Sequence, residues 1–239
     1  MFGTRTASSV QRNSLPWWPS ACAVCRSWPA HTICIACRQQ FVQPTQRCDT
    51  CARELLPGHS RCGRCLTQAV PLEACFAAVA YRYPWSELIA DFKFRGQPAL
   101  AGPLARLLLA TDGVPALLAQ TQIVLPMPLF SARLAERGYN QALLLARALA
   151  PQTTRADVLL RVRDTAPQLA LDRAARMANV QQAFAVDPLQ VAHVAQRRVV
   201  LVDDVMTSGA SLYAASQTLR HAGAASVSAV VLARTPEGH

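Results

Sequence analysis

Two groups of residues have the types and spacing to do chemistry. One is the stretch VVLVDDVMTSGAS, Val199 to Ser211. Branched apolar residues run into Asp203 and Asp204, then into a short run of small and hydroxyl-bearing residues. A nucleoside triphosphatase would need a G-x-x-x-x-G-K-[ST] loop, but the sole lysine, Lys93, has no such glycine spacing before it and is followed by Phe94. A strand that merely ends in solvated acids would leave the hydroxyls and amides idle. A sugar-phosphate site uses every residue type. Asp203 and Asp204 would accept hydrogen bonds from vicinal ribose hydroxyls at the carboxyl edge of a sheet, where open α/β folds bind ligands. Thr207, Ser208, Gly209, Ala210 and Ser211 would wrap a phosphate with N–H groups, hydroxyls and the positive end of the next helix.

The other group is four C-x-x-C pairs: Cys22/Cys25, Cys34/Cys37, Cys48/Cys51 and Cys62/Cys65. Each pair puts two sulfurs on one tight turn, and two such turns complete a tetrahedral four-cysteine site, so the chain has the ligands for two structural zinc ions. Sequential pairing is the simplest, and the spacing leaves interleaved pairing open. An iron–sulfur cluster is the minor alternative. Disulfides are disfavoured without a secretion signal, and a thioredoxin-type site would need one C-x-x-C beside a βαβ unit. Cys75 stands alone and reads as a buried structural cysteine; His31 and His59 read as surface residues.

The elements that must position these groups follow from the apolar pattern. CFAAVAYRY, QIVLPMP, DVLLRV, RRVVLVDD and ASVSAVVLAR read as strands. PWSELIADFKF, PALAGPLARLLLA and GASLYAASQTLRHAG read as helices, the last ending at Gly223. SARLAERGYNQALLLARALA reads as one long helix that Gly138 could interrupt, and the segment from Arg163 to Phe184 as a loop leading into an arginine-rich helix. Alternating strands and helices with continuously apolar strands predict a doubly wound, mostly parallel α/β sheet. Cysteine usage sets the boundaries: a tail over 1–19, a cysteine module over 20–70 and the α/β domain over 71–239.

The formal charge is +10; eight thiolates on two zinc ions would leave about +6. Arginine supplies nearly all of it, which reads mainly as a coding bias, but its fork suits phosphate and carboxylate either way. No apolar run reaches the roughly 20 residues of a spanning helix, and the N-terminus lacks an apolar signal core. The expected location is the cytoplasm, without membrane insertion.

VVLVDDVMTSGAS resembles the phosphoribosyl-pyrophosphate (PRPP) loop of type I phosphoribosyltransferases, with Ser208 and Ser211 where threonine is frequent. The ordered set of cysteine pairs, ELIADFKFRGQPALAGPLARLL, LPMPLFSARLAERGYNQALLLARAL, RVRDTAPQLALDRAARMANVQQAF and the acidic loop is similar to the competence protein ComF family, over roughly residues 20–235. That resemblance implies a double zinc ribbon before a phosphoribosyltransferase-like domain, with Asp203 and Asp204 on the ribose hydroxyls and Val205 and Met206 joining Thr207–Ser211 on the 5′-phosphate. It also implies Mg2+ with PRPP, and a pyrophosphate facing Lys93, Arg95 and Gly96 or Arg133, Arg137, Tyr139, Asn140 and Gln141. Arg163–Asn179, with Thr165, Gln168 and Arg176, would be a mobile cover.

Three functions follow as expectations. The chain binds PRPP or a related ribose phosphate and serves DNA uptake or processing, with single-stranded DNA and other DNA-uptake proteins as partners. Alternatively it is an active phosphoribosyltransferase with an unidentified acceptor. Thirdly, it is an interaction module with a vestigial site. For DNA stacking, Trp28 and Phe41 are the aromatics among the cysteine pairs, with Trp17 and Trp18 just upstream.

Overall fold

Valine and leucine fill the first half of Arg198–Met206, so the segment is extended and buried on both faces. In the computed structural model, which describes residues 19–163 and 183–236, it is a central strand. Four parallel strands, β1 (Cys75–Ala80), β2 (Ile123–Pro126), β5 (Arg198–Met206) and β6 (Ser226–Arg234), lie in the order β1-β6-β5-β2. A separate antiparallel pair is formed by β3 (Leu159–Arg161) and β4 (Phe184–Val186).

Side chains alternate across the sheet. Val200, Val202, Val230 and Leu232 pack with Leu88 and Phe92 of α3 (Trp85–Phe94), Leu104 and Leu108 of α4 (Ala101–Leu109), and Leu145 of α7 (Gln141–Leu149). Val199, Leu201, Val227, Ala229 and Val231 pack on the opposite face with Leu212, Ala215 and Leu219 of α8 (Ala210–His221) and with Phe184. The expected parallel sheet between helical layers is therefore present.

The long helix expected after β2 is two helices. α6 (Ser131–Arg137) stops at Gly138, whose φ of +76° ends it in the left-handed conformation that glycine tolerates. Asn140 then caps α7, its Oδ1 accepting from Leu143 N at 3.2 Å. Two elements carry too weak a pattern to read in advance: α5 (Val114–Gln120) and the three-residue β4. The arginine-rich helix expected beyond Arg163 lies outside the described residues.

The cysteine region is a structural repeat. In each half the first pair sits on a turn: Arg26 N donates to Cys22 O and Ala52 N to Cys48 O, and Arg26 and Ala52 both take positive φ. In each half the second pair opens a short helix, α1 (Ile35–Phe41) after Cys34 and α2 (Gly63–Thr67) after Cys62. Cys34 N donates to Cys22 Sγ at 3.4 Å and Cys62 N to Cys48 Sγ at 3.3 Å.

Candidate functional site

β5 pairs with β2 only as far as Val202, then continues to Met206. This stretch, free of β2 but still paired with β6 as far as Met206, places Asp203 and Asp204 at the carboxyl edge of the sheet. Strand alternation sends the two side chains to opposite faces. Asp204 lies on the α3 face, where Lys93 Nζ meets its Oδ1 at 2.8 Å, both side chains largely buried. Asp203 lies on the α8 face and lines a concavity of about 50 Å³ with Val205–Leu212, several times the roughly 10–15 Å³ that one water needs.

Burial pushes the Asp203 carboxyl up to about 7, reinforced by the charge of Asp204 and opposed by Lys93 and by the Asp204 amide, which donates to Asp203 Oδ1 at 2.9 Å. Around the concavity, the N–H groups of Thr207, Ser208, Gly209 and Ser211 have no hydrogen-bond acceptor among the described residues. Gly209 begins α8 at φ +85°. A Cβ there would meet Met206 Cε at 2.5 Å and the Tyr213 ring at 2.7 Å, so only glycine fits. The arrangement offers anion-accepting amides at a helix start beside the Asp203 carboxylate, with Asp204 and Lys93 paired on the other face of the strand.

The two clusters expected to flank the acids are packed together. Tyr139 Oη donates to Phe92 O at 2.5 Å, Gln141 Nε2 to Lys93 O at 3.4 Å, and Arg137 Nη1 to Gln141 Oε1 at 3.2 Å while its guanidinium covers Phe94. Lys93 is thus held at the end of α3 by the α6–α7 junction. The other polar groups are placed differently. Arg95 pairs with Asp91 at the surface. Asn140 spends its Nδ2 on Met127 O at 3.0 Å and its Oδ1 on the α7 cap. Arg133 sits in the first turn of α6. Of the expected cover, Thr165, Gln168, Arg176 and Asn179 lie outside the described residues.

The cysteines pair sequentially. Cys22, Cys25, Cys34 and Cys37 form one group and Cys48, Cys51, Cys62 and Cys65 another, the four sulfurs of each within 4.8 Å of one another. Bonds of about 2.3 Å to a tetrahedral zinc imply sulfur–sulfur edges of about 3.8 Å. Cys22–Cys37, Cys25–Cys34 and Cys51–Cys62 separations are 3.9, 3.8 and 3.7 Å. Both groups therefore fit a zinc ion. Cys75 is buried as expected, and burial first of all pushes its thiol up to about 12.

A larger cavity, about 1240 Å³, runs along the outer side of β1 between α1 and the second cysteine group. Asp203, Asp204 and Lys93 do not line it, so size and chemistry part here, and the chemistry locates the site at β5. One participant gives only a faint signal in the sequence and escapes a reading from it: Arg234, a charge at the end of an otherwise apolar strand, which is buried beside the turn.

The phosphoribosyl transferase domain family matches residues 140–239. DNA utilization protein YhgH of Salmonella typhi is 34% identical over 91% of this chain and 98% of its own length. The protein of that name in Escherichia coli K12 is 32% identical over 91% and 98%. Competence protein F of Haemophilus influenzae is 33% identical over 84% and 90%. Among solved structures, the allosteric regulatory enzyme of purine biosynthesis is similar over 57% of this chain and 25% of its own, at 20% identity and a TM-score of 0.35, too distant to carry an argument. With its paired four-cysteine groups ahead of a phosphoribosyltransferase-type sheet and relatives matched nearly end to end, the chain belongs to the ComF/YhgH family.

Proposed function

We propose that this protein holds a PRPP-type ribose phosphate at the end of β5 and serves DNA uptake or processing in the cytoplasm. The observation that carries the reading is the set of unengaged amides of Thr207, Ser208, Gly209 and Ser211 around a concavity lined by Asp203. The 5′-phosphate takes the amides and the positive end of α8. The ribose hydroxyls donate to the two carboxylates. Lys93, braced by Gln141, stands on the side where a pyrophosphate would lie. Carboxylate oxygens are also the donors that Mg2+ prefers, and such an ion would supply charge neutralisation to the bound pyrophosphate. Two zinc ions hold the cysteine groups. The names of the relatives support the link to DNA, the basic charge suits single-stranded DNA, and other DNA-uptake proteins are the expected partners.

Isothermal titration with PRPP and Mg2+ tests the site. Folded, metal-loaded protein binds, and Asp203→Asn/Asp204→Asn does not. Affinity rises from pH 6 to pH 8, because a protonated Asp203 accepts fewer hydroxyl hydrogen bonds and its carboxyl titrates at about 7. Absence of heat from the wild-type protein at pH 8 would remove the ribose-phosphate reading. Pyrophosphate release during the titration would extend it from binding to transfer.

A further inference from the structure

Arg234 ends β6 and is only 2% exposed. Its Nε donates to Cys51 O at 3.0 Å. Its Nη1 donates to Met206 O at 3.2 Å, to Thr207 O, and to Thr235 O at 2.9 Å. Its Nη2 has no partner, and no carboxylate forms an ion pair with it, among the described residues. A buried guanidinium without a counter-charge is unfavourable. Four thiolates around one divalent ion carry a net charge of −2, and Cys51, which Arg234 touches through its carbonyl, belongs to such a group.

The other end of Arg234 acts on the turn. In a trans peptide the C=O of one residue and the N–H of the next point in opposite directions. Gripping the Met206 and Thr207 carbonyls from behind therefore turns the Thr207 and Ser208 amides the other way, away from Arg234. A second tie runs parallel: Arg64 Nη2, between Cys62 and Cys65, donates to Tyr213 Oη at 2.7 Å, and the Tyr213 ring closes over Gly209.

We infer that Arg234 is a positioning residue that couples metal occupancy of the Cys48–Cys65 group to the geometry of the phosphate-binding turn, so that metal binding and ribose-phosphate binding favour one another. This rests on the ribose-phosphate reading above. Linkage is reciprocal: a metal that improves ligand affinity is itself held more tightly when the ligand is bound.

The test uses the wild-type protein carrying two zinc ions. Zinc release to the zinc-selective chelator TPEN is followed with and without saturating PRPP and Mg2+. One of the two zinc ions is retained about tenfold more strongly with ligand, and the other is unaffected. Arg234→Lys keeps the charge but lacks the fork; it retains both zinc ions, binds PRPP about tenfold more weakly and loses the ligand's protection of zinc. Loss of that protection separates positioning from mere support of the fold, and the wild-type measurement stands if the variant does not fold. A wild type that binds PRPP with identical zinc release in both conditions would overturn this inference alone. A wild type that does not bind PRPP would overturn the ligand reading and this inference together.

Discussion

The two cysteine groups share one internal plan and differ in what surrounds them. Each has a turn with a positive-φ residue after its second cysteine, a short helix opened by its third, and an N–H to sulfur bond in the same place. In the first group Cys25 is exposed, and the ribbon joins the sheet domain through neighbours of its cysteines: Ile33 is buried in the core on the α3 face, Trp85 Nε1 donates to Phe41 O at 3.1 Å, and Phe41 meets Tyr83 edge to face. In the second group all four cysteines are buried and belong to the same core as β5 and α8. Cys75 N donates to Asp49 O at 2.7 Å, so the start of β1 is bonded directly into that ribbon. One local fold thus keeps its cysteines outside the sheet's core in one copy and inside it in the other. The difference lies in burial and in reach: the first ribbon adjoins the face carrying Lys93 and Asp204, the second the face carrying the phosphate turn.

The largest expected effect separates the ribbons directly. Cys51→Ser destabilises the whole protein by more than about 4 kcal/mol, the range reached when a buried metal centre is lost. Cys25→Ser, at an exposed ligand, stays within the ordinary range of about 0.5–3 kcal/mol. Chemical denaturation with metal content measured alongside distinguishes them, and equal losses would break the comparison. A smaller effect isolates the first face. Lys93→Met leaves Asp204 buried without its partner and costs about 3 kcal/mol, with both metals retained; pairing it with Asp204→Asn recovers part of the loss. Metal loss from the second ribbon in Lys93→Met would show that the two faces are not independent. Smallest is Trp85→Phe, which removes the hydrogen bond to Phe41 O for about 1–2 kcal/mol. It speeds metal release from the first ribbon only, as read by chelator kinetics.

Much of this arrangement is legible in the order of the residues. C-x-x-C is a local geometric statement, so the four ligand pairs are readable from spacing alone. A strand of branched residues ending in two acids and a glycine-bearing turn is likewise local, and Gly209 and Ala210 begin the helix where that pattern places them. Asn140 shows the limit: as a donor beside Arg137 and Tyr139 it suggests a ligand contact, yet the end of α6 at Gly138 leaves its side chain to cap α7. Local polarity cannot reveal whether a donor is spent inside the protein.

Sequence by itself determined the alternation of strands and helices, the metal-ligand inventory and the acidic turn, because each is set by neighbours within a few residues along the chain. Tertiary structure alone decided that the cysteines pair sequentially, that Lys93 meets Asp204, and that Arg234 bridges Cys51 to the phosphate turn. Lys93 and Asp204 are far apart along the chain, and Arg234 and Cys51 are 183 residues apart. Such distances are closed by strand order and core packing, which no short window of the chain contains.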